Sequence, residues 1–370
     1  MHLTGLEAEH FRNLEHIQLE PDPRYNLIVG QNAQGKTNLL EAIWLLTGCR
    51  SFRGVRERDL VSFDQEVMRM QASFRDSRRE QHITYAIQKS SREKKITLNG
   101  VPLRGGSRLF AQFQCVVFTP DDTMLIKGLP DKRRNFLDLC CAQIRPKNMD
   151  VLRRFENLTI QRNQVLRSIG AGNGTPLDLA IWDAQLAVAG AHLSHIRHSY
   201  VQRFAPVCAR LYSIITGGRE QLTVEYQSGM YRDYEMPETV TEPMQDYYLR
   251  KLTMSSTDDI RLGYTSIGAS RDDLLFKING KPVRDFGSQG QKKSTALVLK
   301  LAQAEIYRHS QGQSPVVLLD DVMGELDKSR QELVYSIVQE MQVFITTCNE
   351  GAVLGSDRGM RITIENGKIL

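Results

Sequence analysis

Apolar and polar positions alternate with period two over residues 3–9 and again over 17–19, and a continuous apolar run occupies residues 25–29. Period two sends successive side chains to opposite faces, so these stretches predict three strands, the last of them buried. A polar, glycine-containing stretch at residues 30–37 follows, and apolar spacing turns helical over 38–46. Period two returns at 67–74, 82–87 and 94–98 with Asn99-Gly100 placed for a hairpin turn, and a short buried strand is predicted at 115–118. Long helical periodicity then runs over residues 131–168 and 177–211, broken by Gly170-Ala171-Gly172-Asn173-Gly174. Two antiparallel helices forming an arm is the economical prediction. Beyond them come a strand at 222–226, a helix near 245–252, a strand at 274–278 turned by Asn279-Gly280, and a helix from 292 to about 309. Two apolar strands, 315–321 and 343–347, close the pattern.

The helical middle separates two strand-rich parts. We therefore expect an α/β fold in which residues 1–125 and 280–370 form one domain and residues 126–279 an inserted, mainly helical arm and lobe. A length of 370 residues suits that division, and 25% charged with 41% hydrophobic residues is ordinary for a soluble globular protein. No apolar run approaches the roughly 20 residues that cross a bilayer, and no signal-peptide core follows Met1, so no membrane partner and a cytoplasmic location are expected. The six cysteines include no C-x-x-C pair and read as reduced thiols. His192, His195 and His198 are spaced by threes, drift around a helix and have no acidic or thiol companion, which argues against a metal site there. A net charge of +5 permits an acidic partner such as DNA without demanding one.

Candidate chemistry enters at residues 30–37. Gly30-Gln31-Asn32-Ala33-Gln34-Gly35-Lys36-Thr37 has the spacing G-x-x-x-x-G-K-T, with a strand before it and a helix after it. Backbone N–H groups of such a loop and the positive end of the helix cradle a polyphosphate, Lys36 reaches the β and γ oxygens, and Thr37 holds Mg2+. A nucleoside triphosphate is the expected ligand. Near the C-terminus, the apolar run from Val316 to Leu319 ends in Asp320-Asp321. Carboxylates ending a buried strand are costly unless they meet a cation, so this reads as a Walker B element. Asp320 would share the Mg2+ shell with Thr37, and Asp321 would polarise the attacking water.

Ser288-Gln289-Gly290-Gln291 opens the helix that precedes this strand and resembles the signature motif of ABC-type ATPases. A serine hydroxyl, a glycine N–H and a helix dipole make an anion site. In ABC heads that site faces the γ-phosphate held by a second subunit, so the motif implies a homodimer. Gly324-Glu325-Leu326-Asp327 resembles the D-loop of that interface, and residues 343–347 fall where such heads carry a switch residue. Arg50, Arg53, Arg56 and Arg58, with Phe52 interleaved, suit phosphate contacts beside a stacking platform, although a charged loop is the plainer reading. Lys132, Arg133, Arg134, Arg145, Lys147, Arg153, Arg154, Arg162 and Arg167 make the first long helix basic; a solvated face is the common reading and a phosphate track the functional one.

The order Phe11-Arg12-Asn13-Leu14, G-x-N-x-x-G-K-T, Arg50-Ser51-Phe52-Arg53, Gly128-Leu129-Pro130 followed by Arg133-Arg134 and Phe136-Leu137-Asp138, Ser288-Gln289-Gly290-Gln291 and Leu319-Asp320-Asp321 resembles the RecF family over nearly the whole chain. The resemblance implies an SMC-like ABC-type ATPase head without a long coiled coil. It also implies ATP-dependent dimerisation, slow hydrolysis, binding to DNA at gaps or single-strand to double-strand junctions, and cooperation with RecR and RecO in loading RecA. Carried over by position, Lys36, Thr37, Asp320 and Asp321 are the nucleotide and Mg2+ residues, and Arg12 and Asn13 are nucleotide neighbours. Ser288, Gly290 and Gln291 are contacts made in trans. Two departures stand out. The second Walker B acid is Asp321, where ABC transporters usually carry glutamate, and no histidine follows the switch strand, leaving Thr346 or Thr347 to meet the γ-phosphate. A glutamine after residues 115–118 is also missing, with Asp121 and Asp122 nearby. A transporter ATPase would lack the Arg-Asn turn and the basic arm. A GTPase would carry N-K-x-D, which is absent, and an SMC-like chromosome-structuring protein needs longer helices than residues 131–211 supply.

Overall fold

The computed structural model describes residues 1–91, 93–103, 107–349, 351, 353 and 359–370. In chain order it begins with strands β1 (His2–Phe11), β2 (Leu14–Leu19) and β3 (Tyr25–Val29), then helix α1 (Lys36–Leu45). Four strands follow, β4 (Val67–Arg75), β5 (Glu80–Gln88), β6 (Lys94–Leu98) and β7 (Val101–Pro102), then a single turn of helix α2 (Ser107–Phe110) and β8 (Cys115–Phe118). The middle of the chain is α3 (Met124–Lys127), α4 (Pro130–Ile144), α5 (Asn148–Gly170), α6 (Ala180–Thr216), β9 (Leu222–Gln227), α7 (Glu242–Leu262), β10 (Asp273–Ile278), β11 (Lys281–Pro282), α8 (Val283–Phe286) and α9 (Gln289–Gln311). The end is β12 (Val316–Asp320), α10 (Lys328–Val338), β13 (Val343–Thr347), β14 (Met360–Glu365) and β15 (Lys368–Ile369). Two units result: Met1–Asp122 with Ala296–Leu370, and Thr123–Thr295. The return crossing lies at Ala296 rather than at residue 280, so Ser288 to Gln291 belong to the second unit.

In the first unit two six-stranded sheets divide the labour. One is antiparallel, in the order β2-β1-β4-β5-β6-β7, and β4 and β5 alternate buried with exposed positions as a sheet with one solvated face requires. The other runs β15-β14-β3-β13-β12-β8, and its pairings from β14 to β8 are parallel. Every residue of β3, β8, β12 and β13 is buried. Buried parallel strands need continuous apolar runs, and these have them. Parallel pairing also sets the carboxyl ends of β3, β12 and β13 side by side, with Asp320 opposite Thr346 and Thr346 opposite Ile28.

The hairpin of β14 and β15 escaped the sequence reading, although Asn366-Gly367 is a turn signal. Gly367 has φ +75°, and a Cβ there would run into the Asn13 carbonyl, so glycine is required twice over.

Within the second unit the predicted helix at 131–168 is two helices. Arg145 is extended (φ −138°, ψ 101°) because Pro146 follows it, and α4 ends there. Several cations of the expected phosphate track turn inward. Arg162 is fully buried, donating to Asp183 of α6 at 2.6 Å, to Asp259 of α7 at 2.7 Å and to Thr265 at 2.9 Å. Arg197 of α6 similarly holds Asp138 of α4 and Asp272. Gly190 lets α6 pass close to the Tyr248 ring of α7. Charge complementarity, together with an apolar layer that includes Phe155, Leu186, Tyr248 and Leu252, therefore joins these helices.

Removing one member of a buried ion cluster strands the other charge, which costs about 3–5 kcal/mol. Asp259→Ala is accordingly expected to lower the unfolding free energy by that order, measured by urea denaturation. A loss below about 1 kcal/mol, the scale of an exposed pair, would show that the Arg162 cluster does not hold the unit together.

Candidate functional site

The loop after β3 is shaped by two left-handed residues, Ala33 (φ +65°) and Gly35 (φ +116°). Gly35 also packs against Asn13 and Leu14 so closely that a Cβ would lie 2.9 Å from both side chains. The N-terminus of α1 has no side-chain cap and no acid in its first turn, which leaves its N–H groups to an anion. Lys36 is buried, and its Nζ donates to the carbonyls of Gly30 at 2.8 Å and Gln31 at 2.9 Å and to Cys348 Sγ at 3.2 Å. The ammonium is thus folded onto the loop that is built to surround phosphate. Gln34 ties the loop to the C-terminal hairpin: its side-chain oxygen accepts from Asn366 N–H at 2.5 Å, and its carbonyl accepts from Gly367 N–H at 3.0 Å. Gly30 is required by the same hairpin, since a Cβ would collide with the Ile364 carbonyl.

Beside the loop, the aligned ends of β12 and β13 build a polar row. Thr37 Oγ1 donates to Asp320 Oδ1 at 2.8 Å, and Thr346 Oγ1 donates to the same oxygen at 3.0 Å. Burial pushes the Asp320 carboxyl above the usual carboxylate range; the two hydroxyls act against that shift, Asp321 adds to it, and Arg53 opposes it weakly. A buried carboxylate next to a threonine hydroxyl is a set of hard oxygen donors, so the residues fit Mg2+. Asp321 has φ +51°, a sparsely populated conformation for a residue with a side chain, and its N–H is held at 2.9 Å by Thr346 Oγ1. Such outliers persist where the surroundings enforce them, often at functional sites.

The threonines expected to meet a γ-phosphate do otherwise. Thr346 is fully buried and spent on Asp320 and Asp321, while Thr347 donates to the Asn349 carbonyl at 3.0 Å. Cys348, the residue beyond β13, is the one that touches the loop. Asp122 accepts from Thr119 N–H at 2.8 Å and so caps its own turn, whereas Asp121 is exposed.

Glu41 is a residue the sequence reading passed over. A lone acid inside the apolar run of α1, it is fully buried. It receives Arg12 through two nitrogens (3.1 and 3.2 Å) and the Ser51 hydroxyl, with Arg53 at 3.7 Å. Asn38 completes the chain, donating to Asn13 Oδ1 at 2.6 Å and accepting from Arg53 at 2.9 Å. Asn13 in turn donates to the Ala33 carbonyl at 3.3 Å. Arg12 and Arg53 are therefore anchored beside the phosphate loop by one carboxylate, and Asn13 by Asn38 and the loop's Ala33 carbonyl. Arg50, Arg56 and Arg58 line a surface cleft with Glu57 and Ile87.

In the second unit Ser288 caps α9. Its Oγ accepts from Gln291 N–H at 3.2 Å, and the Gln291 side-chain oxygen accepts from Ser288 N–H at 2.8 Å, a reciprocal capping box. The other end of that amide donates to Glu220 at 2.8 Å. Both ends of Gln291 are spent inside the chain, so it builds the turn and its side chain is not available to a nucleotide. Ser288 keeps a hydroxyl hydrogen to donate. Gly290 is exposed, and a Cβ there would meet only Ser288 Oγ, at 3.9 Å. Among the described residues no close contact requires glycine there. Arg133 is withdrawn from the expected DNA contacts: it is buried, bound to Asp273 at 2.6 and 2.9 Å and to the Gly128 carbonyl at 2.9 Å. Arg134 is half-buried and donates to the Asp272 carbonyl at 3.0 Å.

Comparison with known proteins agrees with this geometry. The family model for the RecF/RecN/SMC N-terminal domain matches residues 2–370. The DNA replication and repair protein RecF of Listeria welshimeri is 34% identical over 355 residues, covering 95% of this chain and 94% of that protein. RecF of Desulforudis audaxviator is 36% identical over 348 residues, covering 94% of each. A solved structure of the recombination mediator protein RecF with ATP, in the RecFOR pathway, superposes with a TM-score of 0.91 at 33% identity, covering 100% of this chain and 97% of that one. An Smc head domain from Pyrococcus furiosus shares the fold (TM-score 0.55) at 15% identity. The fold is that of an α/β ABC-type ATPase head, and the chain belongs to the RecF family.

Proposed function

We propose that this chain is an ATP-dependent DNA-binding protein of recombinational repair and replication restart, active in the cytoplasm. The observation that carries this reading is the row of Lys36, Thr37, Asp320 and Thr346 at the aligned strand ends, with Ser288, which keeps a hydroxyl hydrogen to donate, and the exposed Gly290 at the start of α9. The solved RecF with ATP supports the nucleotide, and the curated relatives support the repair role. When bound, Mg2+ neutralises phosphate charge. Thr37 and Asp320 would hold the metal, and Lys36 would exchange its carbonyl partners for phosphate oxygens, which are stronger acceptors because they are charged. Ser288 and Gly290 of a second copy donate to the terminal phosphate, so nucleotide joins two protomers. Asp321 orients a water and takes its proton as the terminal phosphoryl group leaves the diphosphate. Its carboxylate is one methylene shorter than a glutamate's, which agrees with slow hydrolysis that resets a switch. The paired surface, with Arg50, Arg53 and Arg56 as phosphate contacts, would grip DNA at gaps or single-strand to double-strand junctions. RecR and RecO would cooperate with it in loading RecA.

Three outcomes are expected. In sedimentation velocity the mass doubles with ATP and not with ADP. Ser288→Arg abolishes that doubling and the ATP-dependent retention of gapped duplex across a salt series, while monomers still bind ATP; a mass indifferent to ATP in the unaltered chain would remove the dimer from the mechanism. Asp321→Asn lowers hydrolysis by about 100-fold, the low end for loss of a general base, and accumulates the ATP-bound dimer. Normal turnover in that variant would refute the role given to Asp321.

Asp320→Asn separates metal binding from folding. Because burial raises the Asp320 pKa, the unfolded chain releases this proton first, so the carboxylate costs stability as pH rises above the ordinary carboxylate range. The variant is expected to melt higher than the parent at neutral pH without nucleotide, with the difference vanishing in acid. It should also lose the extra stabilisation by ATP that depends on Mg2+. Retention of that Mg2+ effect would exclude Asp320 as a ligand.

A further inference from the structure

Between β9 and α7 the chain runs without helix or strand, yet it is pinned at both ends. Gly229 N–H donates to Asp272 Oδ1 at 2.8 Å, and a Cβ at Gly229 would collide with the Gly268 carbonyl. Further along, His195 Nε2 donates to the carbonyls of Pro237 and Glu238 at 3.1 and 3.0 Å. A cleft of about 850 Å³ opens beside this segment, a size suited to a ligand, and Tyr226, Tyr231, Arg232, Tyr234, Glu235 and His198 are among its lining residues. Tyr231 and Tyr234 lie 5.3 Å apart by ring centroids, and Tyr247 packs against both at 5.7 and 4.9 Å. The hydroxyls of Tyr226 and Tyr231 are spent inward, on Asp272 at 2.5 Å and on the Met244 carbonyl at 2.8 Å, so the rings are what these residues can offer. One ring of the group already takes a cation, with Lys251 Nζ 5.4 Å from the Tyr247 centroid. Charge narrows the ligand class. From residue 228 to 246 Arg232 is the one cation, against Asp233, Glu235, Glu238, Glu242 and Asp246. All five carboxylates are exposed, and none forms an ion pair among the described residues. Burial and the neighbouring His195 lower the His198 pKa, so its imidazole adds no positive charge at neutral pH.

We propose that this cleft docks a basic segment of a partner protein, with one arginine side chain seated against Tyr231 and Tyr234 and further cations facing the carboxylates around it. The negative face of a tyrosine ring attracts a guanidinium, and a guanidinium is more weakly hydrated than an ammonium, so it gives up less water to stack there. Glu235, on the same lining, supplies a carboxylate whose two oxygens match the guanidinium fork. The other four acids favour the approach of a chain with several cations and repel nucleic acid, whose phosphates would meet them with like charge. A loop already fixed by Asp272 and His195 loses little freedom when the segment arrives. Arg232 is exposed and has no ion-pair partner among the described residues, so it costs little to displace. The acidic cleft and the arginines of residues 50–58 thus suit opposite classes of partner. This assignment does not depend on the nucleotide reading above.

The probe is a short peptide alternating glycine and arginine, with fluorescein at one end and a diazirine at the other; its citrulline counterpart keeps the shape and removes the charge. Binding to the full-length chain is followed by fluorescence anisotropy, and crosslinked residues are found by peptide mass spectrometry. The arginine peptide is expected to bind at least about tenfold more tightly than the citrulline peptide, the scale of one cation–π contact joined to one charged hydrogen bond, and to crosslink within residues 228–241. Tyr234→Leu keeps an apolar side chain, loses the ring and weakens the arginine peptide about fourfold, whereas Tyr234→Phe keeps the ring and stays within about twofold of the parent. Glu235→Gln combined with Glu238→Gln lowers affinity about threefold and flattens its salt dependence. Equal binding of the two peptides, crosslinks confined to other surfaces, or Tyr234→Leu at the parent affinity each overturns the inference. So does loss of single-stranded DNA binding in Tyr234→Leu, which assigns the cleft to nucleic acid, or loss of self-association, which assigns it to a second copy. If melting shows Tyr234→Leu to be unfolded, the double glutamine variant carries the test, because exposed carboxylates can be replaced without unfolding the chain, and parent affinity in that variant overturns the inference equally.

Discussion

A carboxylate buried at the end of a strand has to find charge or hydrogen bonds, and in this chain Asp320 organises what surrounds it. Two threonine hydroxyls reach the same oxygen, one from the phosphate-loop helix and one from the neighbouring strand. Neutral hydroxyls offset only part of the desolvation, which is why the carboxyl stays above its ordinary range. The residual demand for positive charge is a property of the folded sheet and exists before any ligand arrives. Parallel pairing produces it, because parallel pairing sets the carboxyl ends of β3, β12 and β13 in one row. Had β12 run antiparallel to its neighbours, Asp320 would sit at the opposite edge from Thr37. Backbone strain at Asp321 belongs to the same construction, since Thr346 holds its N–H in place while accommodating Asp320.

The parts of this site that could be read from sequence are those whose function demands a local spacing. The G-x-x-x-x-G-K-T loop, the Asp320-Asp321 pair and the Ser288 to Gln291 cap each occupy consecutive residues, so each forms a local pattern that a sequence displays. The strands of the parallel sheet were equally visible, as burial on both faces requires unbroken apolar runs. Glu41, Cys348 and the hairpin at Gly367 were not visible. Their roles depend on partners distant in the chain: Arg12 and Ser51 for Glu41, Asn32 and Lys36 for Cys348, and Asn13 and Gln34 for Gly367. No local pattern marks such partnerships. A lone acid in the apolar stretch of α1 was the one available hint, and it needed the position of Arg12 to become interpretable.

Arginine was misread for a related reason. Sequence records its charge but not the direction in which its side chain points, and a basic helix looks alike whether it faces phosphate or a set of aspartates. Arg162 and Arg133 face carboxylates of their own unit. Arg50, Arg56 and Arg58 line a surface cleft, and Arg53 is partly exposed while tied to Asn38. The difference could have been inferred only by knowing that Asp183, Asp259 and Asp273 approach these arginines in the fold. Buried ion clusters of this kind are demanding in geometry, and a helical unit held by them tolerates little sliding of one helix past another.

The proposed pairing of the Ser288 cap of one copy with the phosphate loop of another would have a physical consequence. A cap and a loop on one rigid body would meet a nucleotide in a single fixed geometry, and binding could then do no more than fill a pocket. Under the proposed pairing the two would come from separate copies, and nucleotide affinity and association of the copies would become one linked equilibrium. The terminal phosphate is the group that both must contact. Removing it by hydrolysis would withdraw the shared ligand while leaving each half-site intact. A chain that worked this way would gain little from fast chemistry, because the state that matters would be the joined one and its lifetime would be set by how slowly the phosphate is lost. Within that proposal, the shorter Asp321, held at φ +51° beside Asp320, would favour persistence over turnover.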